Sequence, residues 1–300
     1  MPKFPSSPQP RTHFALAALV LASLHFPAVA EEPRNGVKLV ADIEFAQPGG
    51  VPLLLDLHLP KGIENPPLLL FIHGGGWRNG DRKRCRLDWV ARYGIAVASI
   101  EYRLSHEALF PAQIHDCKGA LRWLRAHAGR YGFDAGRVVV AGTSAGGHLA
   151  ALMGTCGDVV ALEGTTAGHA GQSSRVEAVI NYYGPSDFVA RAQSHPEKCE
   201  EPSGGVFQLL GGKVSENLDL ARLVSPVTHI TEDDPPLLIL HGSEDKVVKL
   251  DQTEILRDRY QAAGLDVTVH IEDGAAHGWK TTDEERHLIL AFLRTHFEGG

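Results

Sequence analysis

Residues Val138-Val139-Val140-Ala141-Gly142-Thr143-Ser144-Ala145-Gly146-Gly147-His148-Leu149-Ala150 constrain this chain more than any other stretch. A β-branched run feeds into Gly-x-Ser-x-Gly and then into small residues, so a strand must turn sharply into a helix with Ser144 at the corner. Glycine at 142 and 146 is expected because such a turn leaves no room for a Cβ and because glycine tolerates strained backbone. A helix beginning at Ser144 would aim its positive end at that hydroxyl.

The rest of the chain repeats the strand-then-helix rhythm. Apolar runs at 67–73, 95–100, 137–141, 176–182, 236–241 and 267–271 have the continuous character of strands buried on both faces. Two earlier runs, 37–45 and 51–59, flank Gln47-Pro48-Gly49-Gly50 and read as a hairpin. Helical patterns fall at about 82–92, 111–129, 144–155, 251–263 and 282–297, with Ile114, Cys117, Leu121 and Leu124 forming one apolar stripe. An antiparallel start followed by βα alternation predicts an α/β fold with a mostly parallel central sheet and helices on both faces. With no Pro/Ser linker and no internal repeat, residues 31–300 are expected to form one domain. Two longer connections, 157–174 and 185–231, read as loops framing a ligand pocket at the carboxyl ends of the strands.

The first 30 residues differ in kind. Lys3 and Arg11 precede an apolar stretch from Phe14 to Leu24, and Ala28-Val29-Ala30 offers small residues for cleavage. This predicts a secretory signal peptide, hence a secreted or periplasmic protein, and the apolar stretch is too short for a stable membrane span. Its removal leaves 27 basic against 36 acidic residues, a formal charge of −9. No basic run interleaved with aromatics occurs, which argues against a nucleic-acid partner. Cys85, Cys117, Cys156 and Cys199 allow three disulfide pairings that sequence cannot rank. None sits in C-x-x-C, so they read as structural, and neither a metal nor another cofactor is expected.

A serine hydroxyl becomes a nucleophile when a base takes its proton and donors stabilise the oxyanion. The segment 68–77 runs from an apolar strand into His73-Gly74-Gly75-Gly76-Trp77. Amides of Gly74, Gly75 and Gly76, with that of Ala145, would form the oxyanion hole, and which of the glycines donate is not readable. Asp245 and His277 follow Ser144 in the order acid then base, each just past a strand. His277 would be the base and Asp245 its orienting acid. Glu244 adjoins Asp245, and Asp187 also follows a strand, so a carboxylate there is an alternative. His270 and His287 read as packing or surface residues, His73 and His241 as orienting their loops, and Tyr102, Arg103 and Asp116 as structural networks. Trp77 and Trp279 are candidates for the pocket wall or the core.

With these residues placed, the chain resembles the α/β-hydrolase superfamily, in particular its secreted bacterial esterase and lipase-like branch with HGGGW and GTSAGGHLA motifs. Within that branch it is similar to feruloyl and acetyl-xylan carbohydrate esterases. The resemblance covers about 35–298 and is carried by 71–77, 110–125, 138–152, 181–187, 235–248 and 274–279. It implies Ser144, Asp245 and His277 as triad, the 74–76 segment as oxyanion loop, and a small-molecule or polysaccharide-borne ester as substrate. Hormone-sensitive-lipase-like relatives carry Asp where this chain has Thr143, and an N-terminal helical cap for which little chain precedes the first strand. The resemblance therefore implies an open site. General carboxylesterase activity on short acyl esters is a second possibility, and a non-catalytic binding protein on the same fold a third. A peptidase is disfavoured because its relatives add a propeller domain. Oligomeric state is not legible.

Overall fold

The computed structural model describes residues 36–298, within one compact unit, Glu31–Gly300. The expected leader lies outside the described residues. Eight strands form one sheet: β1 (Val37–Ala46), β2 (Leu53–Pro60), β3 (Pro67–Ile72), β4 (Ala96–Ile100), β5 (Asp134–Thr143), β6 (Ala178–Tyr182), β7 (Leu237–Gly242) and β8 (Val267–Glu272), in the order β1-β2-β4-β3-β5-β6-β7-β8. Strand β2 pairs antiparallel with both β1 and β4, and every other pairing is parallel. This is the α/β-hydrolase arrangement, with the antiparallel start read from the hairpin.

Continuous apolar strands have a physical cause here. Leu68, Leu70, Ile72, Val138 and Val140 enter one core, while Leu69, Phe71, Val139 and Ala141 enter the other, all fully buried. Helices α1 (Ala112–Tyr131) and α2 (Ala145–Thr155) cover the first face; a long C-terminal helix, Asp283–Glu298, covers the second through Ile289, Phe292 and Leu293. The stripe Ile114, Cys117, Leu121, Leu124 is fully buried. Gly132, at φ 79°, ends α1 by taking the left-handed conformation and donating to the Ala128 carbonyl.

Three expectations need correction. The 82–92 stretch is turns leading into a 3-10 helix at Asp88–Tyr93, not an α-helix. The 185–231 stretch is a compact layer of short helices rather than a loop: α3 (Phe188–Ser194), α4 (Pro196–Cys199), α5 (Gly205–Leu210) and α6 (Leu218–Val224). Phe188, Val206, Leu209, Val214, Ala221 and Val224 bury themselves in the first core, which a loop could not do. The 157–174 connection is pinned over α1. Glu163 accepts from Lys118 Nζ (2.9 Å) and Ser174 Oγ (2.8 Å) and pairs with Arg122, both cations being buried on α1. After α6 the chain passes through β7 into α7 (Asp251–Ala262), then β8 and α8 (Asp283–Glu298). All four cysteines are free thiols, so none of the three pairings forms. Burial pushes Cys156 and Cys199 up to about 11, which leaves them inert packing groups.

Candidate active site

Strand β5 delivers Ser144 to the corner in a conformation few residues adopt, φ 54° and ψ −116°. Its N–H donates to the Tyr182 carbonyl (2.8 Å) and its carbonyl accepts from His148 N–H (2.9 Å). The strain sits on Ser144 itself. Gly142 and Gly146 are glycines for space alone, since neither has positive φ. A Cβ on Gly146 would lie 2.1 Å from the Ile72 carbonyl, and one on Gly142 would lie 2.2 Å from the Gly146 carbonyl. The expected second reason, backbone strain at the glycines, therefore does not apply.

His277 and Asp245 converge on Ser144 from the ends of β8 and β7. His277 Nε2 is 2.9 Å from Ser144 Oγ, and His277 Nδ1 is 2.6 Å from Asp245 Oδ2. Both Asp245 oxygens are saturated. Oδ1 accepts from the Val247 and Val248 amides (2.8 and 2.9 Å), and Oδ2 also faces His241 Nε2 at 3.3 Å. Burial alone would raise the Asp245 pKa. The hydrogen bonds from His241, His277 and Val248 outweigh it and hold the carboxyl well below the usual carboxylate range. Asp187 does other work. Its Oδ1 accepts from Val189 and Ala190 N–H (3.0 and 2.9 Å) and caps α3.

The glycine loop lies beside the corner. Gly75 has φ 121°, and a Cβ there would sit 1.9 Å from the Asn79 carbonyl, so no other residue fits. Among the described residues the N–H groups of Gly74, Gly75, Gly76 and Ala145 donate to no protein acceptor. That leaves a set of free amides at the start of α2 beside the Ser144 hydroxyl. His73 donates from Nδ1 to the Gly74 carbonyl (2.7 Å) and stacks on Tyr102, whose hydroxyl donates to the His73 carbonyl (3.1 Å). Trp77 is buried, with Nε1 donating to His148 Nδ1 (3.2 Å), while His148 Nε2 donates to the Val224 carbonyl (2.7 Å). Burial drives His148 down to about 4, with the nearby charge of Arg191 adding to the effect.

Two groups support the triad: His241, expected to orient its loop, and Glu285, which sequence reasoning missed. His241 is wholly buried and bridges Asp245 to the Val248 carbonyl and Thr253 Oγ1 (2.8 and 2.7 Å). Glu285, also wholly buried, accepts from Tyr182 OH (2.6 Å), Trp279 Nε1 (2.8 Å) and Arg86 Nη2 (3.0 Å); Arg86 Nη1 donates to the Trp279 carbonyl (2.6 Å). This cluster fixes the turn that carries His277, which also meets the Tyr183 ring edge-on at 4.7 Å. No sequence signal marks Glu285, because its partners come from elements far apart in the chain. Arg103 and Asp116 form the expected structural pair, at 2.7 Å.

A cavity of about 90 Å³ opens beside Ser144, lined by Gly76, Trp77, Pro185, Val206, Val247 and Val248 together with three basic side chains. Trp77 thus reaches both core and pocket, whereas Trp279 belongs to the Glu285 cluster. Residues from the 185–231 layer roof this cavity and none comes from 157–174. The expected open site is therefore partly covered by an insertion after β6.

Residues 55–260 match the model of the BD-FAE family. Over 251 residues the chain is 31% identical to Esterase LipC of Mycobacterium tuberculosis, covering 80% of this chain and 61% of that protein. The chain thus spans about three-fifths of that curated relative's length. Among solved structures it resembles a truncated carbohydrate esterase from gut microbiota, with TM-score 0.77 and 28% identity over 90% of this chain and 99% of that one. It also resembles the bifunctional GH43-CE protein of Bacteroides eggerthii, with TM-score 0.78 and 31% identity over 87% of this chain and 38% of that one.

Proposed function

This chain belongs to the BD-FAE family, and on that premise we propose that it is an exported serine esterase acting on acetyl or feruloyl esters of plant polysaccharide. The observation that carries the reading is the continuous line from Ser144 Oγ through His277 to Asp245, at 2.9 and 2.6 Å. Ser144 attacks the ester carbonyl while His277 Nε2 takes the hydroxyl proton. The oxyanion is met by the free amides of Ala145 and the 74–76 segment. His277 then protonates the leaving alcohol, and water attacks the acyl-enzyme by the same route in reverse. Asp245 stays ionised throughout and stabilises the imidazolium.

The small cavity beside the nucleophile, about 90 Å³, supports a short acyl group there. That favours acetyl over feruloyl. The likeness to carbohydrate esterases supports a sugar-borne ester, and the basic-then-apolar leader supports export with cleavage after Ala30. Hydrolysis of acetylated xylan, methyl ferulate and 4-nitrophenyl butyrate by the protein and its Ser144→Ala variant tests the reading. Acetate release from xylan, lost by at least about a thousandfold in the variant, is the expected result. Turnover of butyrate alone would replace it with a general carboxylesterase. No turnover and no labelling of Ser144 by an organophosphonate would leave a binding protein.

A further inference from the structure

The cavity beside Ser144 has an electrostatic character that ester hydrolysis alone does not require. Three basic side chains, Arg78, Arg191 and Lys198, line it, and no carboxylate does. The chain as a whole is acidic, with 36 Asp and Glu against 29 Lys and Arg. Among the described residues none of the three cations lies within ion-pair distance of an acid, although most of the buried arginines are paired. Arg78 is exposed and ties back to the Ser203 carbonyl (2.9 Å), and Lys198 is half-buried.

Arg191 is the decisive residue. It is 4% exposed, and its Nη2 donates to the Val247 carbonyl (2.9 Å), yet Nε and Nη1 have no partner. A buried guanidinium with two unused donors costs stability unless something satisfies it. Burial pulls its pKa below the ordinary arginine value, and the interactions with Cys199, Asp251, Asp245 and Glu197 offset this only in part. A carboxylate in the cavity would meet the guanidinium charge, and the planar fork that Nη2, with its second N–H, forms with either Nε or Nη1 matches its two oxygens.

We propose that this cavity selects esters that carry a carboxylate, received by Arg191 in the wall and by Lys198 and Arg78 on the more exposed side. The proposal rests on the reading of Ser144 as an ester hydrolase and names its substrate class. The carboxylate belongs either to the acid part, as in a half-ester of a short dicarboxylic acid, or to the alcohol part, as in an acylated sugar next to a uronic acid.

Two matched substrate pairs separate these sources. The first is monomethyl succinate against methyl levulinate, which replaces the carboxylate with a methyl ketone of the same shape. The second is an acetylated xylo-oligosaccharide bearing glucuronic acid against the same compound with its carboxyl reduced to the alcohol. The readout is the ratio of kcat/KM, charged over neutral, so a general loss of activity in a variant cancels. The wild-type ratio should exceed about ten in one pair, the size expected of a hydrogen bond between charged groups. It should fall at least about tenfold in Arg191→Gln and about threefold in Lys198→Gln, a partly exposed position that keeps the test informative if Arg191→Gln does not fold. A preference in the first pair assigns the carboxylate to the acid, and in the second to the alcohol. Wild-type ratios near one in both pairs, or ratios unchanged in the variants, overturn the proposal while ester hydrolysis stands. Absence of turnover on every ester, 4-nitrophenyl butyrate included, overturns both.

Discussion

Acidification should expose the contribution of His148, which lies in the core between the Trp77 loop and α6. The imidazole is fully buried, accepts from Trp77 Nε1 and donates to the Val224 carbonyl, so both nitrogens are committed to the neutral form. Its pKa lies at about 4 in the folded chain against 6.5 when solvated. Between those values the unfolded chain binds a proton that the folded chain refuses, so stability rises with pH across the window and is lost as pH falls through it. With these two values, linkage gives a loss of about 2–3 kcal/mol between pH 7.5 and 4.5 from this residue alone. Other groups titrate over the same range, so the measurement is a difference: urea unfolding of the wild type and His148→Gln at both pH values. The variant should be less stable at pH 7.5, and the gap should shrink by about 2–3 kcal/mol at pH 4.5. A gap that stays constant within about 0.5 kcal/mol would refute the assignment of a neutral, proton-refusing His148.

Three substitutions test the triad and its support. Asp245→Asn should lower kcat by about ten-thousandfold, because the amide fixes the wrong tautomer of His277. Asp187→Ala should cost about 1 kcal/mol of stability through loss of the α3 cap and leave kcat/KM within about threefold; paired ester assays and melting curves separate the two carboxylates. Glu285→Gln should lower Tm by roughly 10 °C, as expected when a largely buried ion pair loses one charge at about 3–5 kcal/mol. Loosening the His277 turn should lower kcat with KM changed less than about threefold, which steady-state kinetics on 4-nitrophenyl butyrate would register.

The sheet and the corner at Ser144 were legible because their signals are local. Strands buried on both faces must be apolar throughout, and a Gly-x-Ser-x-Gly after such a strand leaves the backbone few alternatives. The 185–231 layer was not legible for the opposite reason. Its helices span four to seven residues, too few to establish a helical period, and they are stabilised by packing rather than propensity. The stretch at 82–92 misled in a related way, since its apolar spacing suits either an α-helix or the turns and 3-10 helix that form. Chain order favoured Asp245 but left Asp187 as an alternative, because both are carboxylates placed just after a strand. Only the amides that each one meets tell a helix cap from a partner of histidine. Glu285 and the half-satisfied Arg191 depend on contacts between distant segments; Arg86 and Glu285, for example, are 199 residues apart.

The roof over the cavity is fastened to the loop that carries Asp245 at three points: Arg191 Nη2 to the Val247 carbonyl, Lys249 Nζ to the Ser194 carbonyl, and His195 Nε2 to the Lys246 carbonyl at 3.4 Å. A roof built this way is a poor gate. Swinging α3 outward to admit a bulky chain would pull on the backbone that feeds two amides to Asp245, so wide entry and an aligned acid work against each other. Grafting the 185–231 layer from a relative to change selectivity would for the same reason have to bring residues 245–249 with it.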